Sequence, residues 1–350
     1  MNKILFCGAG YGAGNVGDDA ILDGLLVSAR AYLREDTQYG VLTFDPSFTK
    51  SNVKIDQAFN FVSGVDDAFA WATHIVLGGG SLLSGWSIEH CSGLIHRANL
   101  MDKPICMLAA GASVTPTDQQ KELLEEYFDS LDMITLRSKE DRDLAIEWEL
   151  NPEHLYVCAD GAFAIDHKAV SYAHENLLGI NLVNEMLVSG HSYLHTVADF
   201  VSKQDMQIYY ICGEMRKGDQ FDYTILKGLH DQFGGELFCE YVNYVDLLKQ
   251  LARCKVAVTM RMHIMIFCSL IGVPCIPIIR EPKMKMMADS LGLYFTFSLD
   301  EPLTSFTDVV NYIFDNPELA IADEDKINAL KDRAIQNGNM LCRWMRKEII

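Results

Sequence analysis

Arg261 and His263 stand two residues apart in Met260-Arg261-Met262-His263, between a buried strand-like run at 256–259 and a very apolar helical run, Met262–Ile271. Neither polar side chain belongs in a core. At a helix N-terminus both would face a site, where a guanidinium and first-turn N–H groups suit a phosphate or carboxylate. A lone histidine is commonly structural, but an Arg-x-His pair at a strand-to-helix junction favours chemistry. A second candidate is the glycine-dense turn Gly8-Ala9-Gly10-Tyr11-Gly12-Ala13-Gly14-Asn15-Val16-Gly17-Asp18-Asp19, entered by the strand-like run Lys3–Cys7 and left by a helical run at 20–32. Such turns bring backbone N–H groups against an anionic or polar ligand. Gly12 to Gly17 spells G-x-G-x-x-G, and Asp45 follows the next strand-like run at 39–44. A dinucleotide reading fits poorly. Gly12 lies five residues past Cys7, and Asp18 and Asp19 on the first helical turn suit a cap but would repel a pyrophosphate. A third turn, Gly78-Gly79-Gly80-Ser81, follows the strand-like run 74–77. Three consecutive glycines carry an entropic cost that makes sense where backbone approaches something closely.

Strand-like and helical runs must position these turns. In the first half the strand candidates are Lys3–Cys7, 39–44, 74–77, 104–109, 133–136 and 155–158, with helical patterns between them, notably 20–32, 119–128 and 139–149. The pattern pauses at 166–176 and restarts. Strands are expected at 177–182, Gln207–Ile211, 237–241, 256–259 and 275–278, and helices at 192–203, 221–232, 244–254 and Met262–Ile271. Residues 305–350 read as helices only. This alternation predicts an α/β protein with parallel sheets. We expect two Rossmann-like domains facing across a cleft, at 1–168 and 169–304, and a C-terminal helical tail at 305–350. Ligands in such sheets bind beyond the carboxyl ends of the strands.

Composition narrows the function. At 350 residues and 49% apolar, each half can bury a core. A net charge of −19 disfavours nucleic-acid partners, while a local basic pocket for an anionic substrate would stand out against it. The ten cysteines include no C-x-x-C pair, which argues against a zinc site and points to a reducing cytoplasm. No apolar run reaches the length of a membrane span, and no cleavable leader is recognisable.

Taken in order, the motifs resemble the polysaccharide pyruvyltransferases. Gly14-Asn15-Val16-Gly17-Asp18-Asp19-Ala20-Ile21 resembles that family's G-N-x-G-D-x-A-I signature. Leu77-Gly78-Gly79-Gly80-Ser81-Leu82-Leu83 is similar to its G-G-G-S-L-L turn, and Ile134 to Arg137 to a strand ending in arginine before a helix. Met260-Arg261-Met262-His263, then Gly272-Val273-Pro274 and Pro282-Lys283, are similar to its M-R-x-H, G-x-P and P-K blocks. Two segments depart from the pattern. Gly111-Ala112-Ser113-Val114-Thr115-Pro116 replaces Gly-x-Gly-Pro, and Arg280-Glu281 precede the P-K pair.

The resemblance implies a GT-B-like fold and transfer of a pyruvyl group from phosphoenolpyruvate to two hydroxyls of a sugar, forming a ketal and releasing phosphate. The partners implied are phosphoenolpyruvate as co-substrate and a sugar or lipid-linked oligosaccharide acceptor. No metal or other cofactor is required. A lipid-linked acceptor would bring a cytoplasmic protein to the inner face of the plasma membrane. On this reading Arg137, Arg261 and Lys283, with backbone at Gly79, Gly80 and Ser81, bind the donor. His263 protonates the methylene carbon, and Asp18 or Asp19 takes the hydroxyl proton. Gly14, Asn15 and Gly17 shape the acceptor loop. Blander roles stand beside these. Arg137 can pair with Glu140 or Asp141, Lys283 can be a solvated surface residue, Asp18 can be a cap alone, and Asp160 can line a hinge or form a turn. A nucleotide-sugar glycosyltransferase and a non-catalytic glycan-binding relative are the competing functions.

Overall fold

The computed structural model describes residues 1–183, 206–216, 221–240, 243–298 and 303–349. The helix expected at 192–203 lies outside them. The chain divides into two compact units. The first comprises Met1–Ala13, Asp18–Ile165 and Ala329–Ile350, and the second Gly14–Gly17 and Asp166–Asn328.

The first unit is built on seven parallel strands: β1 (Lys3–Cys7), β2 (Gln38–Thr43), β3 (Gln57–Asn60), β4 (His74–Gly80), β5 (Ile105–Ala110), β6 (Ile134–Leu136) and β7 (Leu155–Val157). Their order is β3-β2-β1-β4-β5-β6-β7. Leu5 pairs with Gly40 on one side and Ile75 on the other. The central strands are buried almost throughout, which is why they read as continuous apolar runs rather than alternating ones. The order reverses direction between β1 and β4, the switch point where such sheets open a crevice beyond their strand ends. The glycine turn after β1 and the Gly78–Gly80 turn of β4 both lie there.

The second unit holds six strands: β8 (Leu177–Asn181), β9 (Gln207–Ile211), β10 (Glu236–Phe238), β11 (Cys254–Thr259), β12 (Cys275–Ile279) and β13 (Phe297–Ser298). They run parallel in the order β10-β9-β8-β11-β12-β13. Its switch point falls between β8 and β11, and Arg261 follows β11 directly. The core packs Leu178, Ile180, Tyr210, Val256, Val258 and Ile276 under the flanking helices.

Two strands escape the sequence reading. β3 is a half-exposed edge strand, Gln57-Ala58-Phe59-Asn60, and β13 is two residues long. The first helix, Val16–Tyr32, begins four residues before the expected start, so Gly17, Asp18 and Asp19 all lie on its first turn. The terminal stretch is helical as expected, with helices Leu303–Asp315 and Glu324–Met345. The tail does not stand apart, because the division between units falls inside Glu324–Met345 and Ala329–Ile350 belongs to the first unit. Ser28 Oγ donates to Ala334 O (3.1 Å), and Asn337 accepts from Thr135 Oγ1 (2.6 Å) and donates to Ala159 O (3.0 Å). Gly338 sits so close to the Ser28 carbonyl that a Cβ there would lie 1.9 Å from it.

Candidate active site

In the first unit the turns after β1 and β4 interlock. The buried Tyr11 hydroxyl donates to Gly78 O. Burial, then the nearby Cys7 and Asp18, hold that hydroxyl well above its ordinary pKa, so it remains a donor. Tyr11 O in turn accepts from Phe44 N (2.9 Å) and Thr43 Oγ1 (2.9 Å). Gly12 and Gly80 adopt φ of +68° and +81°, where a side chain is disfavoured.

The two aspartates part company here. Asp19 is buried, and its Oδ1 accepts from Gly12 N at 2.8 Å, so this carboxylate fastens its own loop. Asp18 is half-buried and lies against the backbone of both turns. A Cβ on Gly10 would be 2.9 Å from its Oδ2, and one on Gly80 3.8 Å from its Oδ1. Gly80 thus shares a neighbourhood with Asp18, while Gly79 lies on Ile21 and Ser81 is half-buried.

Arg137 follows β6, two strands from β4, with 3% of its side chain exposed. Its Nε lies 3.5 Å from Asp141 Oδ2 and its Nη1 3.6 Å from Asp160 Oδ2. Both carboxylates are buried. Asp141 also accepts from Ala112 N (2.7 Å) and Ser138 Oγ (2.7 Å), and Asp160 caps the turn Gly161–Ala164 through Ala162 N (3.0 Å). The guanidinium lies directly on Gly111, where a Cβ would come within 2.2 Å of Cζ. Arg137 is therefore engaged by two carboxylates beneath the 111–112 backbone, and Asp160 is both a turn former and its partner.

The second unit brings together the motifs most distant in sequence. Gly14 to Gly17 lie along the turn after β9. Met215 N donates to Gly14 O (2.7 Å), Asn15 pairs antiparallel with Glu214, and Val16 N donates to Gly213 O (3.1 Å). Asn15 Oδ1 accepts from Gly17 N at 3.0 Å, tightening the turn. Gly17 then abuts His263, and a Cβ on it would lie 2.1 Å from the imidazole Nδ1. His263 is the one residue of the helix Met262–Ile271 that is not buried.

Arg261 is set by a buried polar network. Asp222, with no exposed surface, accepts from Arg261 Nε (2.9 Å) and Nη2 through Oδ1, and from Asn181 Nδ2 (2.9 Å) and Gly213 N (3.0 Å) through Oδ2. Thr259 Oγ1 donates to Asn181 Oδ1 (2.9 Å) and accepts from Arg261 N (2.9 Å). Beyond β12, Lys283 Nζ lies 3.1 Å from Glu281 Oε2 and Arg280 Nη2 2.8 Å from Oε1. Arg280 Nε also donates to Met260 O (3.2 Å), tying this group to the Arg261 turn. Arg216, after β9, pairs with Glu214 at 2.6 Å. At the carboxyl edge of this sheet four cations thus accompany three carboxylates, against a strongly acidic chain. Asp222, Asn181, Arg216 and Arg280 were not among the expected site residues. No spacing in the sequence marks the first two, although Arg280 lay within the departing segment.

Among the described residues no group of His, Cys, Asp and Glu is arranged to hold a metal, and no helix is long and apolar enough to cross a membrane.

Residues 15–282 match the polysaccharide pyruvyl transferase family, and the chain belongs to it. Solved structures establish the fold as the GT-B type. One similar structure is a Listeria monocytogenes protein assigned as a UDP-N-acetylglucosamine 2-epimerase (TM-score 0.67, 11% identity, 99% of this chain and 97% of that one). A second is Alr3699/HepE of Anabaena in complex with UDP-glucose (TM-score 0.60, 12% identity, 99% and 100%). A third is the lipopolysaccharide outer core galactosyltransferase WaaB (TM-score 0.54, 11% identity, 98% and 99%). No curated protein sequence matches the chain.

Proposed function

We propose that this member of the family transfers the pyruvyl group of phosphoenolpyruvate to a sugar of a cell-surface polysaccharide precursor as a ketal, with release of phosphate. The observation that carries the reading is the contact of Gly17 with the His263 imidazole. It joins the first and last motif blocks of the family in one place, beside a guanidinium held by Asp222.

In this reading Arg261, Lys283 and the first-turn N–H groups of Met262–Ile271 receive the donor phosphate and carboxylate. His263 gives a proton to the methylene carbon, leaving a cationic C2. One sugar hydroxyl adds to C2, the C2–O bond to phosphate breaks, and the second hydroxyl closes the ketal. Of the two hydroxyl protons lost, one replaces the proton given by His263 and the other leaves with phosphate. Asp18, which lies against the Gly10 and Gly80 backbone and follows Gly17 directly in the chain, serves as the base in this reading. Arg137 supports the 111–112 backbone. The reaction calls on no cofactor.

The test is incubation of the purified protein with phosphoenolpyruvate and a panel of nucleotide- and lipid-linked glycans, following phosphate and the acceptor mass. Phosphate release with an acceptor gain matching one pyruvyl ketal, abolished in H263A, is the expected result. Binding of UDP-sugars with no response to phosphoenolpyruvate would instead support a glycosyltransferase. That alternative draws on the UDP-glucose complex of HepE, a protein sharing only the fold.

A further inference from the structure

Four aromatic rings form a continuous track on the first unit. Phe44 follows β2 and Phe61 follows β3, and their rings stack at 4.2 Å with 21° between planes. Phe61 lies 5.1 Å from the His90 ring, and Trp86 stacks on His90 at 5.0 Å and 9°. Trp86 is 69% exposed and Phe44 42% exposed. Phe61 and His90 are covered by these neighbours, so the two end rings, Trp86 and Phe44, are the ones that leave large aromatic surface to water, which marks a binding surface.

The Phe44 end of the track is tied to the glycine turn of the first unit. Phe44 N donates to Tyr11 O in the glycine turn, and Phe61 N donates to Thr43 O (2.8 Å). Trp86 opens the helix Trp86–Leu100, six residues after Gly80. Burial lowers the His90 pKa, so its ring is neutral near pH 7 and stacks without charge.

We propose that this track holds a neutral stretch of the glycan acceptor, its pyranose rings laid with their C–H faces on Trp86 and Phe44. The inference rests on the reading of the chain as a glycan-modifying transferase and names where the acceptor is held. The ring faces carry negative quadrupole and attract weakly positive C–H hydrogens. The surroundings select this occupant. Asp45 and Glu89 adjoin Phe44 and His90 in the chain, and Asp66 and Asp67 follow Phe61 closely, with Lys50 nearby in sequence, Arg97 already paired to Asp66, and Glu89 accepting from Gln120 Nε2. Such a rim repels anionic lipid headgroups and phosphodiester backbones, while its carboxylates accept hydrogen bonds from sugar hydroxyls. The two exposed rings, Phe44 and Trp86, are spaced apart by Phe61 and His90, which suits successive sugar units better than one small molecule.

The experiment is titration of the full chain with neutral tetrasaccharides of glucose, galactose, mannose and N-acetylglucosamine, followed by calorimetry and tryptophan emission. Trp148 and Trp344 are buried and Trp71 half-buried, so Trp86 is the tryptophan most open to quenching. At least one tetrasaccharide is expected to bind and change the emission. W86A and F44A should weaken binding about tenfold with an unchanged melting temperature, and W86F should restore most of it. Absence of binding by every tetrasaccharide, or undiminished binding by W86A, overturns the proposal. So does flotation with phosphatidylglycerol vesicles that W86A alone abolishes. Phosphoenolpyruvate-dependent phosphate release is scored separately. Trp86-dependent sugar binding without release retains the track and rejects the transfer chemistry, and release unaffected by W86A does the reverse.

Discussion

Arg261 directs Nε and Nη2 to a single oxygen of Asp222, a carboxylate with no exposed surface, while 24% of the arginine side chain remains accessible. The buried partner fixes the guanidinium at the end of β11 while part of it stays exposed. Replacing Asp222 by Asn removes the charge that balances Arg261 and disturbs the bonds to Asn181 and Gly213. Breaking a fully buried pair costs about 3 to 5 kcal/mol, and the partial exposure of Arg261 reduces that cost here. D222N should therefore melt markedly earlier by calorimetry, and its folded fraction should show a raised KM for phosphoenolpyruvate. An unchanged melting temperature would show that the network is dispensable.

Gly17 has an ordinary backbone and is glycine for space alone. A methyl group there would collide with His263 Nδ1, so G17A should push the imidazole aside without unfolding the sheet. Displacing a catalytic group by about 1 Å lowers turnover about a hundredfold. The expected signature is a large loss in kcat with a small change in melting temperature. Activity close to that of the parent would place the imidazole outside the reaction.

Much of this architecture was legible in the sequence because the strands are buried on both faces. Lys3–Cys7, Gln207–Ile211 and Met262–Ile271 are found at the residues expected, since each is an apolar run bounded by polar or glycine residues. β3 was not legible because an edge strand with one half-exposed face carries Gln and Asn without penalty. The sequence offered Glu140 or Asp141 as the blander partner of Arg137, and the structure sets it against Asp141, whereas Asp160, after a later strand, gave no local signal as its second partner. The meeting of Gly17 with His263 depends on Gly14–Gly17 docking along Gly213 to Met215, a long-range pairing that no periodicity encodes.

Arg137 sits between two buried carboxylates, so its loss leaves Asp141 and Asp160 without their cation. R137M should cost about 3 to 5 kcal/mol of stability. G111A should also destabilise, since its methyl group would enter the guanidinium. Both effects are read as shifts in melting temperature. An R137M protein of unchanged stability but raised KM for phosphoenolpyruvate would return Arg137 to the donor site.

The ten cysteines are all free thiols, and Cys239 alone is more than marginally exposed. Burial pushes the Cys91 thiol up to about 12, and burial, opposed by Arg333, does the same for Cys158. A raised pKa suppresses the thiolate that reacts with disulfide reagents. Native protein should label rapidly at one cysteine, identified by peptide mass as Cys239, and at all ten after denaturation. Rapid native labelling of Cys7 or Cys91 would contradict the packing around β1 and β4.

Asp18 and Asp19 are neighbours with opposite surroundings, and their amide variants should separate two roles. In D19N the acceptor for Gly12 N is weakened, so the glycine turn loosens and the melting temperature falls. In D18N the half-buried carboxylate beside Gly10 and Gly80 loses its charge while the turn remains tied by Asp19 and Tyr11. Removing a general base slows turnover by about 100- to 10,000-fold. D18N should keep its affinity for phosphoenolpyruvate but lose kcat. If D18N turns over normally and D19N does not, the base is Asp19 and the bond to Gly12 N must open during the reaction.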